Sequence, residues 1–255
     1  MKNKPSKNTL RKNFRSLVLA GLVCLPVTLL KAGADPIAHW PMDKIEKGGV
    51  LADKKGDHDV VLAELEGFTP QNVSGVVGDA LLLEADQQGY AEVTGGRDLR
   101  FPDGLTVSAW IRPSSRDQLG DIITCRYDVP DATAGWRLRY GYGQVFFEAV
   151  DSSGQTVRLE SDADAVQAKH WVHVAATVSE NDIRLYLNGT EVAKAPFAGP
   201  LAEPTPPIMP LIIGNHATIA SYRHDKCPAF GGAIDEVKIF DRPLTKSELV
   251  KESNP

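Results

Sequence analysis

Beyond residue 35 the chain runs in short apolar or alternating segments rich in β-branched and aromatic residues. Gly, Asp, Asn and Pro interrupt them roughly every ten positions, the spacing of an all-β sandwich. Thr106-Val107-Ser108-Ala109-Trp110-Ile111 alternates and stops at Pro113, as a half-buried strand does. Trp171 to Val178 and Ile183 to Leu187 flank Ser179-Glu180-Asn181-Asp182 as the arms of a hairpin, and Val145 to Val150 and Thr156 to Leu159 flank Asp151-Ser152-Ser153-Gly154 in the same way. Asn188-Gly189 tolerates positive φ at both central positions of a type I′ turn and predicts a tight hairpin from Leu185-Tyr186-Leu187 to Glu191-Val192-Ala193.

Only the C-terminal stretch reads as helix, where Thr245 followed by Glu248 forms a capping box ahead of Leu249 and Val250. Six prolines between Pro196 and Pro210 exclude a central strand there and predict a stiff surface loop or edge cover. No repeat period or linker-like composition break is present, so residues 35–255 are expected to form one domain. A composition of 42% hydrophobic and 24% charged residues excludes a disordered chain.

The first 34 residues hold five Lys, two Arg and no acidic residue, with an apolar run from Ser16 to Leu30. This is the pattern of a secretory signal peptide over residues 1–34, cleaved after Ala34 or, alternatively, after Ala32. A membrane anchor is the competing reading, but the run contains Pro26 and falls short of the roughly 20 residues that span a bilayer. The expected product is secreted or periplasmic, with no stable membrane insertion. Processing would leave 21 basic against 33 acidic residues, a net charge of −12. That sign disfavours nucleic acid as a partner and suits neutral glycans or cations.

In an oxidising compartment the two cysteines of the processed chain, Cys125 and Cys227, are expected to form a disulfide; the alternative is two buried free thiols. Pairing would bring Arg126-Tyr127-Asp128 beside Tyr222-Arg223-His224-Asp225, aromatic faces for sugar rings next to charged groups for hydroxyls. The alternative for that cluster is a solvated polar rim around the bridge. Trp136, Leu138, Tyr140 and Tyr142 share one face of an extended segment and read as core, with the tyrosines nearest the rim; His173 reads as structural.

Several segments, in order, resemble the laminin G-like jelly-roll family of the concanavalin A-like lectin and glucanase superfamily. They are Ala38-His39-Trp40-Pro41-Met42-Asp43, residues 75–83, Gly89-Tyr90-Ala91-Glu92-Val93, Leu105 to Pro113, Trp171 to Ala175, Arg184 to Gly189, and residues 232–240. The resemblance implies a jelly roll of two antiparallel sheets. It also implies a structural Ca²⁺ near the first and last strands, with Asp43 and Asp235 as its carboxylate ligands. Alternation places Asp235 on the same face as Val237 and Ile239, so an inward carboxylate there needs either a cation or hydrogen-bond donors from a neighbouring turn.

Enzyme motifs are not found. The glucanase relatives carry a Glu-x-Asp-x-x-Glu type strand that Ile234-Asp235-Glu236 does not reproduce, and Glu64 and Glu66 end at Gly67 without a third acid. The sequence therefore points to a non-catalytic carbohydrate-binding or adhesion module. A structural or protein-interaction domain at the cell surface is the second reading, and a polysaccharide hydrolase or lyase the third.

Overall fold

The computed structural model describes residues 1, 34–129, 132–202, 210–216 and 229–255, with backbone alone at 127–129, 132 and 133. Contacts divide the chain into Met1–Lys31 and Ala32–Pro255, and the fold below is that of the second unit. Residues 2–33 of the expected signal peptide lie outside the described residues. No described helix is long and apolar enough to cross a membrane.

Two eight-stranded sheets make up the fold. The first has the order β16 (Thr190–Pro196), β15 (Asp182–Leu187), β14 (Val172–Val178), β7 (Leu105–Pro113), β18 (Gly232–Phe240), β5 (Asp79–Leu83) and β4 (Gln71–Ser74), with β1 (Ala38–Trp40) also paired to β18. The second runs β13 (Thr156–Glu160), β12 (Gln144–Val150), β11 (Trp136–Gly141), β8 (Leu119–Thr124), β17 (Ile212–Ile213), β6 (Ala91–Val93), β3 (Val60–Leu62) and β2 (Val50–Leu51). A separate ribbon pairs β9 (Tyr127–Val129) with β10 (Ala132–Ala134). Every pairing between these strands is antiparallel.

Period-two alternation supplies the core. Val107, Ala109 and Ile111 of β7, Trp136, Leu138 and Tyr140 of β11, and Val145, Phe147 and Ala149 of β12 belong to one continuous buried cluster with Trp40, Leu81 and Ile234. Trp40 is fully buried, and its indole N–H donates to the His58 carbonyl at 2.6 Å, so no polar atom of that ring is left unsatisfied. Trp136, Leu138 and Tyr140 are core, as the alternation predicts, while Tyr142 lies in the following turn and is 53% exposed.

The local signals in the sequence translate directly. Asn188 and Gly189 have φ of 48° and 72°, the two positive values of a type I′ turn, and Leu187 pairs with Thr190 across it. The helix α1 (Lys246–Glu252) begins at Thr245, whose side chain accepts from the Glu248 N–H while Glu248 accepts from the Thr245 N–H. Leu249 of α1 joins Leu244, Phe240, Ala175 and Tyr186 in a small second cluster on the outer face of the first sheet.

One expectation is corrected by the register of β18. Asp235 pairs with Trp110 and Lys238 with Ser108, and the register shifts between them around Glu236, whose φ is 48°. The bulge turns Asp235 to the outer face shared by Trp110 and Lys238, opposite Val237 and Ile239, which stay in the core.

Truncating a fully buried core side chain should therefore be costly and truncating an edge residue should not. Phe147→Ala is expected to lower unfolding free energy by about 3–5 kcal/mol, and Val192→Ala, on edge strand β16, to change it by less than about 0.5 kcal/mol. Urea denaturation of both variants checks this.

Candidate functional site

The strongest concentration of polar side chains lies on the outer face of the second sheet. Register alone assembles it. Arg158 of β13 stands opposite Glu148 of β12, which stands opposite Arg137 of β11, and the row continues through Thr124, Ile212, Glu92, Val61 and Val50 to the far edge. Opposite charges facing each other across strands stabilise this arrangement.

Glu148 is the hub. Its Oε2 accepts from Arg126 Nη1 at 2.7 Å, from Arg137 Nη2 at 2.7 Å and from Arg137 Nε at 3.0 Å. Arg126 also donates through Nη2 to Thr156 Oγ1 at 3.2 Å, and its backbone N–H donates to Thr124 Oγ1 at 3.1 Å. Arg137 Nη1 lies 3.3 Å from His216 Nε2. One row along, Arg139 Nε donates to Asp121 Oδ1 at 2.6 Å, while the fully buried Asp121 Oδ2 has no hydrogen-bond partner among the described residues. Arg158 lies with its guanidinium 4.5 Å from the centroid of the Phe146 ring.

At the far end of the row the face opens into a cleft of about 530 Å³. Val61, 40% exposed, and Glu92 line it together with Tyr90, Thr94, Arg97 and Asp98. Burial, and then the neighbouring Glu92 charge, push the Tyr90 phenol above its ordinary pKa. An aromatic ring, a carboxylate, a hydroxyl and a guanidinium around one cleft can stack on a sugar ring and bond its hydroxyls.

Of the residues expected to bind ligand, Arg126 belongs to the Glu148 network. Tyr127 and Asp128 follow it on β9, where backbone alone is described. Tyr222, Arg223, His224 and Asp225 lie outside the described residues. Cys125 is a free thiol packed against the core, and burial pushes its pKa up to about 12. The disulfide expected for it would pair it with Cys227, which lies outside the described residues. Asp121, Arg137, Arg139, Glu148 and the Tyr90–Glu92 pair escaped the sequence reading. A signal for Arg137 and Arg139 was present, since they alternate with Trp136, Leu138 and Tyr140, but which strands neighbour one another was not.

Asp43 and Asp235 meet at the turn joining β4 to β5. Asp43 Oδ1 accepts from the Asp79 N–H at 3.0 Å, and Asp235 Oδ2 accepts from Val76 and Val77 N–H at 2.6 and 3.1 Å. Glycine is required at both corners: a Cβ on Gly75 would lie 2.6 Å from Asp235 Oδ2, and one on Gly78 would collide with Asp43 Oδ1. Asp235 Oδ1 is buried without a hydrogen-bond partner among the described residues, and burial raises the carboxyl pKa to about 6. Two carboxylates converging on one turn, one of them with a buried unsatisfied oxygen, fit a hard oxygen-seeking cation in kind. Among the described residues no group of three or more His, Cys, Asp or Glu gathers around such a point, so carbonyls and water would have to complete a shell of six to eight oxygens.

His173 is structural, as expected. It is buried against the Trp110 ring at 5.4 Å, and burial followed by the Lys238 charge lowers its pKa to about 4.

Comparison with known proteins agrees with this architecture. A family profile described as concanavalin A-like lectin/glucanases superfamily matches residues 85–250. Among solved structures, domain 4 of AbnA, an extracellular arabinanase of Geobacillus stearothermophilus in complex with arabinotriose, aligns over 88% of this chain and 100% of its own, with 18% identity and a TM-score of 0.59. The binding domain of Paraclostridial Mosquitocidal Protein 1 aligns over 86% of this chain and 52% of its own, with 18% identity and a TM-score of 0.63. The binding domain of botulinum neurotoxin serotype G aligns over 86% and 50%, with 14% identity and a TM-score of 0.59. The chain thus spans about half the length of the toxin binding domains it resembles. At these identities the likeness is one of fold. A search of curated protein sequences finds no match.

The Asp235 carboxyl should leave a signature in the pH dependence of stability. Its folded pKa of about 6 exceeds its ordinary value of 3.8, so the native state binds the extra proton between them, and stability falls as pH rises through that window. In EDTA, Asp235→Asn is expected to gain stability relative to the native sequence as pH rises from about 4 to about 6.5. A stability difference that stays constant across that range, measured by urea denaturation, would contradict a raised pKa.

Proposed function

The chain belongs to the concanavalin A-like lectin/glucanases superfamily, and on that premise we propose that it is the non-catalytic glycan-binding module of an exported protein. The observation that carries this reading is the continuous row on the outer face of the second sheet, from the Arg126–Glu148–Arg137 network to the cleft of Tyr90, Glu92 and Arg97. Sugars are recognised by fixed donors and acceptors beside an aromatic face, here Arg97, Thr94 and Glu92 beside Tyr90, while the buried Arg126–Glu148–Arg137 network fixes the strands that carry the face. The buried carboxylates Glu148, in the row, and Asp121, one row along, are both engaged by arginines, which suits recognition better than proton transfer. As further aromatic partners we propose Tyr127, next in the chain to Arg126, and Tyr222, six positions after His216 in the sequence. The fold is shared with an arabinanase domain solved with arabinotriose, which supports a saccharide over other ligand classes.

We further propose that Ca²⁺ binds between Asp43 and Asp235 as a structural ion. When bound, it would supply the positive charge that the buried Asp235 oxygen lacks and tie β1 and β18 to the turn between β4 and β5.

Two measurements test these readings. On a broad glycan array the protein should give specific signal, and Tyr90→Ala or Tyr127→Ala should reduce affinity at least about tenfold, the scale of one lost stacking contact. Silence across the array from protein shown to be folded would favour a protein-binding domain instead. Separately, Ca²⁺ should raise the melting temperature and EDTA lower it, with Asp43→Asn and Asp235→Asn abolishing the response. A melting temperature indifferent to both reagents would refute the ion.

A further inference from the structure

The outer face of the first sheet holds a second pocket, of about 290 Å³, close to the lower limit of about 300 Å³ for small-molecule sites. Leu82, Ala233 and Arg112 form one cross-strand row on its floor, and Ser114 and Lys169 complete its wall. The shape follows from small residues. Ala233 is flanked by Gly232 at φ 143°, where a Cβ would run into the Arg112 carbonyl, so the sheet can carry nothing larger at that corner.

The pocket differs electrostatically from the rest of the protein. Arg112 stacks with its guanidinium 5.0 Å from the centroid of the Trp171 ring, which orients it without consuming its N–H donors. The Lys169 backbone N–H donates to the Pro113 carbonyl at 2.7 Å, which holds that residue against the end of β7. Among the described residues no carboxylate pairs with Arg112 or Lys169, and no Asp or Glu lines the pocket. Arg126, Arg137 and Arg139, by contrast, are each bound to a carboxylate. In a chain with 33 acidic and 28 basic residues, a pocket lined by two cations and, among the described residues, no counter-charge is a site for an anion.

We propose that this pocket binds the oxyanion of an acidic saccharide unit, a uronate carboxylate or a sulfate ester. Arg112 is the forked donor, Lys169 the point charge and Ser114 a hydroxyl partner, while Leu82 and Ala233 meet the apolar face of the ring. The saccharide part rests on the glycan reading above, whereas the anion preference rests on this pocket alone, on the opposite sheet.

Calorimetric titration of the protein with trigalacturonate, its methyl ester and a sulfated trisaccharide tests the assignment. At least one anionic probe should bind, more weakly as salt rises, and the methyl ester at least about tenfold more weakly than trigalacturonate. Arg112→Gln and Lys169→Gln should each weaken binding at least about tenfold, with Val192→Ala, outside both sites, without effect. Lys169 is exposed, so its variant keeps the fold even if Arg112→Gln does not. Equal affinity for ester and acid, silence from both anionic probes, or binding unchanged in Lys169→Gln would overturn the site. Anionic binding lost in Tyr90→Ala but kept in Lys169→Gln would overturn it while upholding the face of the second sheet. The reverse pattern, with an array silent to neutral glycans, would uphold the anion site and remove the glycan reading of that face.

Discussion

A one-residue slip of β11 would carry Arg137 and Arg139 between the sheets and drive Trp136, Leu138 and Tyr140 out of them. Alternation along this strand therefore ties the core and the outer face together. The apolar parity cannot be satisfied without presenting both arginines on the other side, where Glu148 and Asp121 already face them across β12 and β8. Because β8 and β12 flank β11, the same constraint passes to its neighbours in the sheet. The polar row is in this sense a consequence of how the core packs.

The row is costly to build unless it is complete. Glu148 and Arg126 are nearly inaccessible to solvent, and buried charges of this kind cost several kcal/mol each unless the geometry of pairing is good. Two arginines converging on one carboxylate oxygen provide such pairing, although exchange for apolar residues could be as stable. Retention of a buried ionic cluster on a face, where a hydrophobic one would serve stability equally well, is an argument for recognition.

What could be read from the sequence was whatever is local. The Asn188-Gly189 turn and the Thr245–Glu248 cap each depend on residues a few positions apart, and the structure reproduces both. The face of Asp235 depends on a bulge at Glu236, a non-glycine residue with positive φ that no neighbouring residue announces, so alternation carried through it gave the wrong side. The Glu148 network needs β11, β12 and β8 to be neighbours in a particular register, and sequence alternation assigns a face without assigning a partner. The resemblance that ordered the segments identified the sandwich, but a fold of this kind hosts many functions, so the sites had to come from side-chain geometry.

The contrast between the two sheets sharpens how charge is used here. On the second sheet Arg126, Arg137 and Arg139 are neutralised within the protein, so that part of the face carries little net field, a setting suited to uncharged hydroxyls. On the first sheet Arg112 is steadied by an aromatic ring, and a cation–π contact leaves the charge itself uncompensated. A neutral sugar entering that pocket would have to desolvate two cations without matching them, whereas an acidic one replaces their water with its own oxygens. The same residue type thus serves two kinds of recognition, and what separates them is whether a carboxylate of the protein has already taken the guanidinium.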